Sequence, residues 1–244
     1  MNTLFTICKR EFSAYFATPV AYVFIFIFLV MSGVFTFYLG NFYQRGQADL
    51  LPFFNFHPWL YLFFMPAVAM GLWSQERQLG TIELLMTLPV TLWQAVLGKF
   101  LAAWLFAGLA LLLTLPLWIT VNYLGTPDNG VILASYLGSW LMAGAFIAVG
   151  SCMSAFSRNQ IVAFILTVVV CFVLMLSGFP LVLDFFRGWA SEGLLDLIAS
   201  LSFLTHFEAL ARGVVDIRDL LYFVLVIAVW LLATTQVLTV KKSV

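Results

Sequence analysis

Long uncharged stretches alternate with short polar segments along the whole chain. Six of these stretches exceed 20 residues without an Asp, Glu, Lys or Arg: 12–44, 50–75, 100–127, 129–157, 159–183 and 220–240. A helix needs about 20 apolar residues to cross the hydrocarbon core, and a charge at its centre costs about 2.5–3.5 kcal/mol. Runs this long and this rich in Leu and Phe suit helices rather than barrel strands. The pattern predicts an all-α membrane protein with six transmembrane helices.

An even number of spans places both termini on one side of the membrane. The predicted spans lie roughly at 20–40, 57–75, 97–123, 132–156, 160–180 and 219–240. The side that holds the termini carries seven Lys or Arg residues and the other side carries four. By the positive-inside rule, both termini are cytoplasmic. We therefore expect a multi-pass protein of the bacterial inner (cytoplasmic) membrane.

Composition agrees with a chain whose main solvent is the lipid bilayer. Charged residues make up 9% of the sequence and the mean hydropathy is +1.07, whereas a soluble domain carries about 25% charged residues. The formal net charge is zero, which gives no bulk argument for nucleic-acid binding. Two distant histidines, His57 and His206, lack the spacing of a metal site. His57, next to a Trp at the start of the second span, is interpreted as an interfacial anchor. Residues 1–244 are expected to form a single membrane domain.

Two of the non-spanning segments have their own helical patterns. Residues 3–17 place most of their apolar side chains on one helical face and Lys9 and Arg10 on the other, with Ile7 as the exception. This pattern predicts an N-terminal helix lying in the membrane interface. Residues 181–218 are far longer than a usual connection, and their uncharged run is too short to cross. They predict a re-entrant pair of short helices on the outer side, before the last span.

The third non-spanning segment, residues 75–88, is half polar and half apolar. As a helix it places Leu79, Ile82, Leu85 and Met86 along one side. Glu76 and Glu83 are seven residues apart and share another face, and Pro89 ends the segment. Periodicity alone leaves two interpretations open. The helix either anchors a loop at the membrane surface or docks in a groove of another protein.

The sequence "ERQLGTIELLMTLPVTLWQAVLGK", residues 76–99, resembles the signature of type-two ABC exporter permeases. The matching positions are Glu76, Arg77, Gly80, Thr81, Glu83, Leu84, Leu85, Pro89, Gly98 and Lys99. The segment "FEALARGVVDIRDLLYF", residues 207–223, is similar to the approach to the sixth helix in that family. The resemblance covers nearly the whole chain, and its compact form is most similar to the gliding-motility-associated branch.

This resemblance implies that residues 75–88 are a coupling helix seated in a cleft of cytoplasmic ABC ATPase subunits. It assigns contact with the ATPase to Glu76, Arg77, Gly80, Thr81, Glu83, Leu84, Leu85 and Pro89. Glu76 and Arg77 would close the second span, and Gly80 and Thr81 would form a bend or cap. Glu83 and its neighbours would face the ATPase. The permease would pair with a second copy of itself or a similar chain, with room for a periplasmic or membrane accessory subunit.

The chain carries no phosphate-binding loop of its own. Such a loop needs G-x-x-x-x-G-K-[ST], but Gly98-Lys99 is followed by Phe100, and Trp93 stands where the first Gly belongs. The expectation is a non-enzymatic subunit without a cofactor, with ATP and Mg²⁺ bound by the partner ATPase.

Two other functions are alternatives to an exporter subunit. An intramembrane enzyme would need a polar catalytic cluster, whereas the spans hold only isolated hydroxyls. A non-transporting membrane scaffold or force-transmitting subunit of an ABC-type assembly complex would use the same coupling helix. The primary expectation is an exporter subunit.

The charged face of the 75–88 segment generates a test. Glu83→Lys should weaken association with the ATPase because it reverses the charge that the resemblance places against that partner. Co-purification with the ATPase in mild detergent, together with the elution profile of the permease, measures this. Unchanged co-purification would contradict the assignment of Glu83.

Overall fold

A computed structural model describes residues 3–82, 90–187 and 191–240, and within these ranges the ordered elements are helices without a strand. The α-helices are α1 (Thr3–Phe16), α2 (Pro19–Val34), α3 (Phe42–Arg45), α4 (Leu51–Ala69), α5 (Gly71–Leu79), α6 (Leu92–Leu112), α7 (Leu115–Leu124), α8 (Asn129–Phe156), α9 (Gln160–Leu176), α10 (Pro180–Arg187), α11 (Glu192–Ser200), α12 (Phe203–Ala211) and α13 (Ile217–Val240). A five-residue π-helix, Phe35–Leu39, continues α2. The all-α class is confirmed.

Four helical stretches of the described chain are long and apolar enough to cross a membrane. They are Pro19–Arg45, Leu92–Leu124, Asn129–Phe156 and Ile217–Val240. Two bent helix pairs raise the number to as many as six: α9 with α10, bent by 73°, and α11 with α12, bent by 65°. The chain is therefore a multi-pass membrane protein with four to six candidate spans. The α11–α12 pair lies within residues 181–218, where paired short helices are expected from the sequence.

The predicted second span, 57–75, has a different form in the structure. Helix α4 begins earlier, at Leu51, and Met70 separates it from α5. Asn55, His57 and internal prolines make this helix less apolar than those four stretches. Much of α4 is buried among other helices, so protein rather than lipid surrounds His57, whereas Asn55 is exposed.

His57 shows how α4 accommodates its polarity. The side chain is completely buried, and its Nδ1 lies 3.1 Å from the hydroxyl of Ser139 on α8. Ser139 is in turn 2.8 Å from the Tyr61 hydroxyl. The interpretation of His57 as an interfacial anchor is therefore wrong. A hydroxyl from a neighbouring helix is the partner of Nδ1 inside the bundle, while Nε2 is buried without a hydrogen-bond partner among the described residues.

Helix α8 is the centre of the packing and contacts α4, α5, α6, α9, α12 and α13. Small residues, among them Gly138, Gly144 and Gly150, allow this close packing. A Cβ atom placed on Gly150 would lie 2.5 Å from the Cβ atom of Ala69 on α4. Since the side chain of Ala69 has no further torsion that could relieve this overlap, the backbones of α4 and α8 are held at their observed separation.

The N-terminal helix lies against the bundle. Helix α1 spans Thr3–Phe16, close to the predicted 3–17, and packs along α6. Ile7, the exception in the sequence pattern, is buried, whereas Phe5 on the predicted apolar face is 64% exposed. A Cβ atom on Gly98 would lie 2.7 Å from Cγ2 of Ile7. Contact with α6, rather than with lipid alone, therefore decides which face of α1 is buried.

The close contact at Gly150 generates a prediction. Gly150→Ala should lower the thermal unfolding midpoint in detergent, because overpacking that needs a backbone shift costs about 1–3 kcal/mol. The matched control is Gly33→Ala on α2, where an added Cβ meets no atom within 4 Å. Equal midpoints for the two variants would contradict this account of the α4–α8 contact.

Candidate functional site

Three helices meet at a buried ammonium group. Nζ of Lys99, on α6, lies 2.9 Å from Oε1 of Glu76 on α5 and 3.2 Å from Oε2 of Glu11 on α1. The Lys99 side chain is only 4% exposed, and its Nζ is 5.4 Å from the ring centroid of Trp73. Arg10 pairs with Glu11 from the exposed side at 2.7 Å. We call Glu11, Glu76 and Lys99 the charge joint.

The charge joint fixes the relative positions of its helices. An ammonium group loses its hydration when buried, and only closely placed carboxylates compensate for that loss. Burial raises the pKa of Glu11, but the charges of Lys99 and Arg10 outweigh it and bring the pKa below its ordinary value. Glu11 is therefore ionised near neutral pH. Separation of α1 or α5 from α6 would break one of the two ion pairs of the buried Lys99.

A second group of contacts joins α5 to α8 through Ser154. Its hydroxyl accepts hydrogen bonds from the backbone N–H groups of Trp73 and Ser74, each at 3.0 Å, and donates one to the carbonyl of Met70 at 2.7 Å. A serine hydroxyl has one donor and two acceptor positions, so all three are used. The bonds surround the interruption between α4 and α5. The indole of Trp73 adds a hydrogen bond to Ser151 at 3.1 Å.

Arg77 continues this connection at the end of α8. Its guanidinium donates a hydrogen bond to the carbonyl of Ala155, in the last turn of that helix. Burial and, to a smaller extent, the charge of Arg158 lower the pKa of Arg77. A cation at a helix C-terminus satisfies a free carbonyl and the helix dipole. Arg77 therefore connects α5 to the end of α8.

Gly80 ends α5 in a left-handed conformation. Its φ is 69°, and its N–H donates to the carbonyl of Glu76. Glycine adopts this conformation without steric cost. The Thr81 hydroxyl lies 3.4 Å from the same carbonyl. The bend or cap assigned to Gly80 and Thr81 is therefore present.

The position of Gly80 corrects the prediction of one helix over 75–88. The helix that contains Glu76 ends at Leu79, and the chain changes direction at Gly80. Leu79, expected on the apolar underside, is 68% exposed, while Ile82 packs against the core. Glu76 points inward to Lys99 rather than outward. The buried ammonium attracts this carboxylate more strongly than solvent does.

The other four residues assigned to ATPase contact, Glu83, Leu84, Leu85 and Pro89, lie outside the described residues. Their contact with an ATPase stays a prediction.

Sequence reasoning missed several residues of this site. The sequence pattern gives no individual role to Glu11 or to Ser154. Lys99 was recognised as part of the signature without a structural role. A signal was available for Lys99, because a lone cation at the start of an uncharged run requires an acidic partner. The identity of that partner needed the fold.

The described fold is that of a polytopic all-α membrane protein with an amphipathic N-terminal helix and a buried charge joint between α1, α5 and α6. Comparison with known protein families identifies the family within this class. The family described as "ABC-2 family transporter protein" matches residues 5–241. The chain belongs to this family, and it is a membrane permease subunit of an ABC transporter. A search of curated proteins found no match.

The charge joint generates a prediction. Lys99→Met should lower the thermal unfolding midpoint substantially, since it leaves two carboxylates facing each other at a mostly buried position. Losing one partner of a buried pair costs about 3 kcal/mol or more. Adding Glu11→Gln and Glu76→Gln to Lys99→Met should restore much of the loss. Arg212→Met, which breaks an exposed pair with Glu208, is the control and should change little. No recovery in the triple variant would show that the joint does not act through charge pairing.

Proposed function

We propose that this chain is the membrane-spanning subunit of an ATP-driven exporter, and that it couples ATP hydrolysis by separate cytoplasmic ABC ATPase subunits to export. It works with a second copy of itself or a similar permease, and cargo leaves between the two copies. The membrane is the bacterial inner membrane, and both termini are cytoplasmic. This orientation places the charge joint and Gly80 on the side where an ATPase binds.

The observation that carries this proposal is the position of the charge joint next to the signature segment. A force that the ATPase applies to the segment after Gly80 would act directly on the C-terminal end of α5. Lys99 connects α5 to α1 and α6, and the contacts of Arg77 and Ser154 connect it to α8. Because α8 packs against most of the bundle, displacement of α5 would be passed to the other helices rather than absorbed locally.

Gly80 sets the direction in which the chain leaves α5 toward the residues assigned to the ATPase. At a φ of 69°, a residue with a Cβ atom is strained by about 1 kcal/mol or more. The proposal assigns Gly80 the role of orienting the contact segment, whereas Glu76 and Arg77 hold α5 in the membrane subunit.

Lys99 supports the assignment of ATP binding to another chain. It is the lysine of the single Gly-Lys pair in the sequence. It lies within helix α6, and its ammonium is paired with two carboxylates from other helices. A phosphate-binding lysine must instead extend from a loop toward the nucleotide. ATP and Mg²⁺ are therefore proposed to be held by the partner subunits.

Affinity purification of the tagged full-length chain in mild detergent tests the proposal. A stoichiometric partner that contains G-x-x-x-x-G-K-[ST] is expected, and the purified complex should hydrolyse ATP. Gly80→Ala should retain the bundle but reduce co-purification of the ATPase and its hydrolysis in the complex, because backbone strain of about 1 kcal/mol or more favours reorientation of the segment after Gly80. Gly33→Ala is the matched control. Purified complexes without any such ATPase would overturn the proposal.

Reconstitution in proteoliposomes separates export from a purely mechanical role. ATP hydrolysis stimulated by a particular lipid or saccharide would support transport. Hydrolysis that responds to no candidate cargo, but depends on another membrane partner, would favour a force-transmitting assembly subunit.

A further inference from the structure

A cavity of about 680 Å³ lies between α1, α2, the α4–α5 junction and α6. This volume is within the range of about 300–1,000 Å³ that is typical of small-molecule sites. Its wall includes all three residues of the charge joint. The cavity therefore lies at the same end of the bundle as the signature segment, beneath the N-terminal helix.

The wall of the cavity has polar and apolar portions. The polar portion includes Gln75, Gln160 and Thr18 in addition to the charge joint. The apolar portion includes Val20 and Phe24 on α2, with Val68 and Phe106 from α4 and α6. Val20 is 56% exposed, so this part of the wall continues onto the outer surface of α2. Such a wall suits an amphiphile with a polar head and an apolar remainder.

Glu76 determines the charge that the polar head should carry. Its Oε1 binds Lys99, but Oε2 is buried without a hydrogen-bond partner among the described residues. Glu76 is itself one of the residues that line the cavity. A buried carboxylate oxygen without a donor is costly. Lys99, the cation paired with Glu76, also pairs with Glu11.

We propose that this cavity binds the ammonium headgroup of a phosphatidylethanolamine-type lipid, with Glu76 accepting a hydrogen bond from the ammonium. A primary ammonium provides three N–H donors, whereas a choline headgroup provides none. The side-chain amides of Gln75 and Gln160 and the hydroxyl of Thr18 are donors suited to the lipid phosphate. The acyl chains lie along Val20 and the exposed surface of α2.

A bound lipid of this kind would bridge α1, α2 and α5. Its ammonium donates the hydrogen bond that Glu76 lacks. Its acyl chains cover the apolar side chains of the cavity that α1 does not cover. The site is part of the permease itself and does not depend on an ATPase. Its test can therefore fail while the proposed function stands, and the reverse is also true.

Thermal unfolding of the purified full-length chain in detergent tests this assignment. Phosphatidylethanolamine should raise the midpoint by about 2–4 °C at saturating amounts, because a ligand that binds only the folded state stabilises it. Phosphatidylcholine with the same acyl chains should not. An equal shift with both lipids would overturn the assignment of an ammonium donor. A full shift with glycerophosphoethanolamine, which has no acyl chains, would overturn the lipid as the ligand.

Two variants test the location of the lipid. Glu76→Gln keeps the shape of the side chain but removes its charge, and should abolish the preference for phosphatidylethanolamine over phosphatidylcholine. Ala14→Trp places a large ring on the cavity wall without changing any charge, and should abolish the shift itself. The matched control is Ser13→Trp, on the same helix at an exposed position that does not line the cavity. A preference for phosphatidylethanolamine that persists in both Glu76→Gln and Ala14→Trp would show that the lipid binds elsewhere.

Discussion

The arrangement of this protein depends on one buried ammonium group and the two carboxylates that accompany it. Lys99 is at the start of a long apolar helix, where neither water nor lipid headgroups can solvate it fully. Glu11 and Glu76 supply the missing solvation from two different helices. The N-terminal helix is thereby held on the bundle, and α5 is held at the point where the chain leaves the membrane domain. The buried Lys99 is acceptable in this position because the two carboxylates are present.

Hydroxyl groups on α8 perform a similar task for polar groups on α4 and α5. Ser139 lies beside His57, and Ser151 accepts a hydrogen bond from the indole of Trp73. Ser154 bonds to backbone groups on both sides of the interruption at Met70. Without these partners α4 would be a poor membrane helix, because its own sequence is less apolar than that of its neighbours. The small residues of α8 bring its hydroxyls close enough to reach. The small residues of α8 and its hydroxyl groups therefore act together, since close packing brings the hydroxyls within hydrogen-bonding distance of α4 and α5.

The charge joint connects the two proposals. Glu76 is a member of the path that would carry motion from an ATPase into the bundle, and it is also the acceptor proposed for a lipid ammonium. A lipid in the cavity would change the electrostatic surroundings of the same carboxylate that binds Lys99. Membrane composition would then influence how firmly α5 is held, through a direct contact rather than through general properties of the bilayer.

The sequence by itself determined the helical class, the membrane setting, the bounds of α1 to within a residue and the presence of short helices before the last span. These features follow from apolar periodicity and backbone hydrogen bonding, which act over a few turns of one helix. The signature also located Arg77, Gly80 and Thr81, since caps and bends depend on local residue types. Only the tertiary structure decided that Glu76 points inward, that Ile7 is buried, and that His57 has a partner in the core. Lys99 and Glu11 are 88 residues apart, and solvation of a buried charge depends on which distant groups the fold brings within about 3 Å of it.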